Sequence, residues 1–221
     1  MVFARRLLGA ILAAIASAAV ATATSAPGFA VPPVSDQQRA AGLIDIRTVV
    51  PDAVTDLRYA TPKNFVGEQL YPAGARCLVH ETMGPRLAAA ADALRQQGDQ
   101  LVFWDCYRPH SVQVRMWQAV PNPAWVAKPG PYSRSHESGL SVDVTMASGG
   151  RPIDMGTDFD DFTPRALAFA TTGVSAQAQA NRAKLRDAMK AGGLTVYSGE
   201  WWHFDAPGAG ADRPILDVPV N

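Results

Sequence analysis

Net charge is what this chain most plainly lacks. Its 221 residues carry 20 basic and 20 acidic side chains, a formal net charge of zero. Without a basic excess there is no strong electrostatic footprint for nucleic acid or for a polybasic membrane contact. Cysteine is scarce. Cys77 and Cys106 are the only two, and two cysteines in different contexts make a poor zinc site by themselves. Histidine is nearly as scarce, with His80, His110, His136 and His203. No internal repeat is present. What the chain does have is apolar material, 48% of residues with 8% aromatics. That excludes a wholly disordered polymer and suffices for one well-filled core, hence one domain. With 18 Gly and 17 Pro the chain is loop-rich without being low-complexity.

The first 26 residues read as a separate unit. Arg5 and Arg6 precede an apolar run from Leu7 to Val20, followed by the small residues around Ala21-Thr22-Ala23 and Thr24-Ser25-Ala26. This is the layout of a secretory signal peptide. The run falls short of the roughly 20 apolar residues that span a bilayer, although an uncleaved anchor is the alternative. No cysteine near the cleavage region points to a lipoprotein. Cleavage would remove two arginines and no acid, leaving 18 basic against 20 acidic residues. The expected organisation is a signal peptide over 1–26, an extended lead-in over 27–42 and one domain over 43–221. Export sends the protein to the periplasm, the cell envelope or the medium, with no stable membrane partner afterwards. In an oxidising compartment Cys77 and Cys106 are most simply one disulfide, with two buried thiols as the alternative.

Periodicity gives a coarse set of elements. Leu43–Ile46, Gln100–Trp104 and Leu140–Met146 read as strands. In the last, Leu140, Val142, Val144 and Met146 alternate with Ser141, Asp143 and Thr145, the pattern of a half-buried strand. Leu194–Tyr197 and Trp201–Phe204 are the final strands. Pro85–Gln97, Ser111–Val120, Pro164–Phe169 and Ala176–Ala191 read as helices. Helices and strands mix without regular alternation. The expected class is α+β: one compact domain, a central and mostly antiparallel sheet flanked by helices, and a metal site at the sheet.

Three segments carry chemistry. In Ser135-His136-Glu137-Ser138-Gly139-Leu140-Ser141-Val142-Asp143, an imidazole at a turn precedes a carboxylate on a strand. In Gly199-Glu200-Trp201-Trp202-His203-Phe204, Glu200 and His203 would face opposite sides of an extended segment. A turn or bulge at Trp201-Trp202 is therefore required to bring them together. Two His and one Asp form a three-ligand set with an open position, the catalytic rather than the structural zinc pattern. Water in such a position is acidified, and Glu200 could take its proton and pass it on. In Trp104-Asp105-Cys106-Tyr107-Arg108-Pro109, an Arg at a strand end, held by Asp105, can meet a developing oxyanion. The bland alternatives are a surface Glu200, a hydrogen-bonded loop His136 and a structural Asp105–Arg108 pair.

Together these segments resemble the D-alanyl-D-alanine dipeptidases, the VanX-like zinc peptidases, over roughly residues 43–220. The matches are His136-x-x-Gly139-x-x-x-Asp143, Glu200-x-x-His203 and Trp104-Asp105-x-Tyr107-Arg108-Pro109. Tyr59-Ala60-Thr61 with Asn64-Phe65, and Met155-Gly156 with Phe159-Asp160, also match. The resemblance implies one Zn2+ per chain on His136, Asp143 and His203, with Glu200 as general base and acid. It implies that Arg108 stabilises the tetrahedral intermediate and that Asp105 orients it. Tyr59 and Asp160 would line the substrate pocket, Asp160 near the substrate's free ammonium. The substrate implied is the small molecule D-Ala-D-Ala, in cell-wall dipeptide turnover.

Two positions depart from the pattern. Arg134 stands where the family usually has a substrate-binding Ser, so Ser135 is the candidate to replace it, and Arg134 could instead meet the substrate carboxylate. Cys106 replaces a common Gly, and a Cys77–Cys106 bridge would brace the turn presenting Arg108. The competing readings are a D,D-carboxypeptidase trimming wall stem peptides and a non-catalytic zinc-containing wall-binding module. The latter needs neither Glu200 nor Arg108.

Overall fold

The computed structural model describes residues 30–221. The signal-peptide expectation, and the start of the lead-in, lie outside the described residues. Among those described, no helix is long and apolar enough to cross a membrane.

The lead-in differs from expectation. Residues Asp36–Ala40 form a short helix, α1. Ser35 accepts from the Gln38 amide while the Gln38 side chain accepts from the Ser35 amide, a capping box that satisfies two otherwise orphan donors. Gln38 is buried, and its Nε2 donates to the carbonyls of Pro219 and Asn221. The segment is therefore packed onto the domain and belongs to it.

After α1 come β1 (Leu43–Asp45), β2 (Val54–Thr55), β3 (Leu78–His80) and α2 (Gly84–Arg95). They are followed by β4 (Asp99–Asp105), α3 (His110–Ala119), β5 (Ser141–Ser148) and β6 (Arg151–Pro152), then α4 (Ala176–Ala191), β7 (Thr195–Val196) and β8 (His203–Asp205). β1 and β3 form a small antiparallel pair. The main sheet runs β2-β4-β5-β8-β7, with β6 added to β5. Every pairing in it is antiparallel except β2 with β4. The α+β class with a mostly antiparallel sheet is as the sequence implied. α2 packs against α4 and against β4. Gly192, at the end of α4, sits so close to α2 that an added Cβ would meet the Arg86 carbonyl oxygen.

β5 is not half-buried. Val142, Val144 and Met146 are fully buried, and so are Ser141, Asp143 and Thr145 on its other face. Of that polar side, Asp143 lines a cavity. The expected helix over Pro164–Phe169 is only a single 3-10 turn, Pro164–Ala166. The Arg165 and Leu167 carbonyls accept from Arg182, and the Ala168 carbonyl from Arg186. With those carbonyls claimed by α4, the turn does not propagate.

Candidate active site

The site is assembled by strand register. Asp143 of β5 lies opposite Asp105 of β4 on one side and His203 of β8 on the other. Three residues far apart in sequence thus form one row across three neighbouring strands, close enough for their side chains to interact. The β4 register slips between Phe103 and Asp105, a bulge centred on Trp104. Bulges re-aim side chains, and this one brings Asp105 into line with Asp143.

His136 arrives from above the row, on a 3-10 turn over Ser135–Ser138. Gly139 ends the turn in a left-handed conformation (φ 70°), where a Cβ would lie 2.8 Å from the His80 backbone nitrogen. Only glycine fits there without a shift. The Arg108 amide donates to the His136 carbonyl at 3.0 Å, tying the two segments together. Cys77 and Cys106 form a disulfide with Cα atoms 5.3 Å apart. The Cys106 carbonyl, next to that bond, is 2.8 Å from His136 Nδ1.

One ligand atom from each of His136, Asp143 and His203 lies within 4.8 Å of the others, and all three residues are buried. His136 Nε2 is 3.1 Å from His203 Nδ1, and Asp143 Oδ1 is 3.0 Å from that same nitrogen. The far ring nitrogens are engaged. His136 Nδ1 meets the Cys106 carbonyl, and His203 Nε2 meets Asp205 Oδ1 at 3.0 Å. Such outer contacts fix ring orientation and leave the inner nitrogens for a metal. The donor set of two imidazoles and one carboxylate fits Zn2+. The same groups hold one another's charges. Burial works against ionisation of Asp143, yet His136 and His203 hold its carboxyl well below the usual range. Burial likewise opposes charge on His203, but its hydrogen bonds to Asp143 and Asp205 push it up to about 10.

Glu200 and His203 do meet. Tyr197–Glu200 closes a turn, residues 201 and 202 bend, and Glu200 Oε2 comes within 4.0 Å of His203 Nδ1. The kink demanded by the sequence is present. Burial raises the Glu200 carboxyl above its ordinary value, with nearby Asp143 adding to this and the two histidines opposing it.

Arg108 is held by fully buried Asp105. Its Nε and Nη2 donate to Asp105 Oδ2 at 3.0 and 2.6 Å. Asp105 Oδ1 is occupied by the Tyr71 hydroxyl (2.6 Å) and the Cys106 amide (2.9 Å). A cavity of about 320 Å³ opens over the row, and Tyr59, Arg108, Ser135, Asp160, Glu200 and the three metal-ligand candidates line it. The Tyr59 hydroxyl donates to Asp160 Oδ2 at 3.0 Å. Burial, then Asp143 and Glu200, raise the Asp160 carboxyl well above the ordinary range. Asp160 adopts φ 55°, a left-handed conformation uncommon outside glycine that turns it into the cavity.

Two expectations need refinement. Ser135 borders the cavity, but its hydroxyl donates to Ser141 Oγ at 3.0 Å and lies 3.4 Å from His203 Nε2. It belongs to the network beneath His203 rather than standing free. Arg134 is exposed and ion-paired with Asp212. Trp201 and Trp202 are both buried, and only Trp202 reaches the cavity wall. Sequence reasoning missed Asp205, Ser141 and Tyr71. Asp205 had a signal, since residues two apart on a strand share a face with one another. Tyr71 had none, because it comes from an irregular loop.

A sequence model of the peptidase M15 family, described as D-ala-D-ala dipeptidase, matches residues 39–221. The D-alanyl-D-alanine dipeptidase of Escherichia coli (strain K12) is 37% identical over 175 residues, 79% of this chain and 89% of that protein. The D-alanyl-D-alanine dipeptidase of Enterococcus faecium is 30% identical over 187 residues, 75% of this chain and 92% of that protein. Among solved structures, a vancomycin-resistance D,D-pentapeptidase VanY in complex with Zn(II) superposes with a TM-score of 0.36 at 18% identity, covering 60% of this chain and 74% of that one. On the family match and the two dipeptidase relatives, this chain belongs to the D-ala-D-ala dipeptidase family of peptidase M15 and is a metallopeptidase.

Proposed function

We propose that the protein hydrolyses free D-Ala-D-Ala to two molecules of D-alanine. The observation that carries this reading is Asp160. It sits in the same cavity as the metal-ligand candidates, and among the described residues its side chain is hydrogen-bonded by Tyr59 alone and ion-paired with no cation. A carboxyl so placed gains from an incoming ammonium, and only a peptide with an unblocked amino end brings one.

A zinc ion, one per chain, held by His136, Asp143 and His203 would supply Lewis acidity toward the substrate carbonyl and render a nearby water more acidic. The chain's own groups do the rest. Glu200 accepts the proton from the attacking water as the C–O bond forms. It then donates that proton to the nitrogen as the C–N bond breaks, releasing the amine. Arg108, immobilised by Asp105, directs its free N–H groups at the oxygen that becomes negative. Asp160 and Tyr59 fix the ammonium end and so place the carbonyl.

We also infer that the enzyme works outside the cytoplasm after removal of residues 1–26. The N-terminal pattern and the Cys77–Cys106 bond support this, because such bonds persist in oxidising compartments. Released dipeptide from wall turnover is then the fitting supply.

The test is D-alanine release from free D-Ala-D-Ala and from an N-acylated D-Ala-D-Ala peptide, using the zinc-loaded protein. Release from the free dipeptide alone is expected. Release mainly from the blocked peptide would overturn the reading in favour of a carboxypeptidase. Zinc retention with no release from either would favour a binding module.

A further inference from the structure

Arg108 is held on a second edge as well. Its Nη1 donates to Gln113 Oε1 at 2.7 Å. Gln113 lies one turn into α3 and is only 3% exposed. Its Nε2 donates in turn to the Ala127 carbonyl at 2.6 Å. Ala127 follows Pro123, Ala124 and Trp125 along the loop after α3, and all four line the cavity. One buried amide therefore joins the side chain that faces the substrate to the wall that encloses it.

A guanidinium has five N–H groups in a fixed plane. Asp105 takes two of Arg108's and Gln113 takes a third, leaving one on each Nη for the cavity. Asp105 alone fixes only the Nε–Nη2 edge. Without an acceptor at Gln113, Nη1 has no hydrogen-bond partner among the described residues, and the guanidinium is free to rotate about its contact with Asp105.

We infer that Gln113 is a positioning residue for turnover: it locks Arg108 against the Ala127 wall so that the two remaining N–H groups face the scissile carbonyl. This rests on the role of Arg108 proposed above.

The test is a double-mutant cycle on the zinc-loaded, full-length enzyme with D-Ala-D-Ala. Gln113→Met keeps the shape of the side chain and removes both contacts. Gln113→Glu keeps the acceptor for Arg108 and loses the donor to Ala127. In the otherwise unaltered enzyme, Gln113→Met is expected to lower kcat by roughly tenfold or more, the scale of a small misplacement of a reacting group. Zinc content should not change, and Gln113→Glu should recover most of kcat. In an Arg108→Ala background, Gln113→Met should cost less than about twofold, because its partner is gone. Equal losses in both backgrounds would overturn the inference and assign Gln113 to the loop alone. So would an active Gln113→Met, or a Gln113→Glu as impaired as Gln113→Met, beside an inactive Arg108→Ala. A fully active Arg108→Ala would overturn the role of Arg108 itself, and this inference with it.

Discussion

Glu200 can be replaced by glutamine with almost no change of shape, which makes it the cleanest residue to test. Gln cannot carry the proton, so Glu200→Gln is expected to keep its metal and lose about 10²- to 10⁴-fold in kcat. Metal analysis beside a turnover assay checks both halves, and near-normal turnover refutes the assigned role. His203→Ala should behave oppositely. It removes a ligand and leaves Asp143 and Asp205 without their shared partner. The purified variant is expected to lose zinc on dialysis. Asp160→Asn keeps the Tyr59 contact but drops the charge. Its expected signature is a rise of roughly tenfold to a hundredfold in KM for the free dipeptide, the worth of a hydrogen bond to a charged group. An unchanged KM would make Asp160 a bystander.

At the scale of elements, the turn that carries His136 depends on Gly139. A side chain there is strained by the positive φ and collides with the His80 backbone. Gly139→Ala should therefore destabilise the fold by about 1–3 kcal/mol and weaken zinc retention, read by thermal unfolding and metal content. Elements also mark how far the sequence could be read. His136 with Asp143, and Glu200 with His203, are local pairs whose spacing is visible in the chain. α2, α3 and α4 show their periodicity and stops. The row Asp105–Asp143–His203 was not visible, because it depends on the Trp104 bulge and on which strands adjoin. α1 escaped notice because Pro32 and Pro33 dominate its surroundings, although Ser35 and Gln38 spell the capping box. The 3-10 turn after Thr163 looked like a helix because the competing donors, Arg182 and Arg186, lie on a distant element.

For the whole molecule, the Cys77–Cys106 bond closes a loop with a sequence separation of 29. The chain-entropy model gives such a bond about 3 kcal/mol. It also anchors the Cys106 carbonyl that orients His136 and adjoins Asp105. Cys77→Ser with Cys106→Ser is accordingly expected to lower both the melting temperature and zinc affinity, measured by calorimetry and by competition with a chelator. A loss of stability with unchanged zinc affinity would show that the bond braces the domain without bracing the site. Metal removal is a parallel test. If only the folded protein binds zinc, saturation at a thousandfold excess over Kd adds about 4 kcal/mol.

The row across three strands also has a consequence in time. His136 and Asp143 emerge together during synthesis, but His203 follows Asp143 by 60 residues. Until β8 docks beside β5, the chain offers two ligands and no closed set. Closing so long a connection is slow relative to local folding. Tight metal capture therefore reports completion of the last strand of the sheet, and a chain arrested before it should bind zinc only loosely.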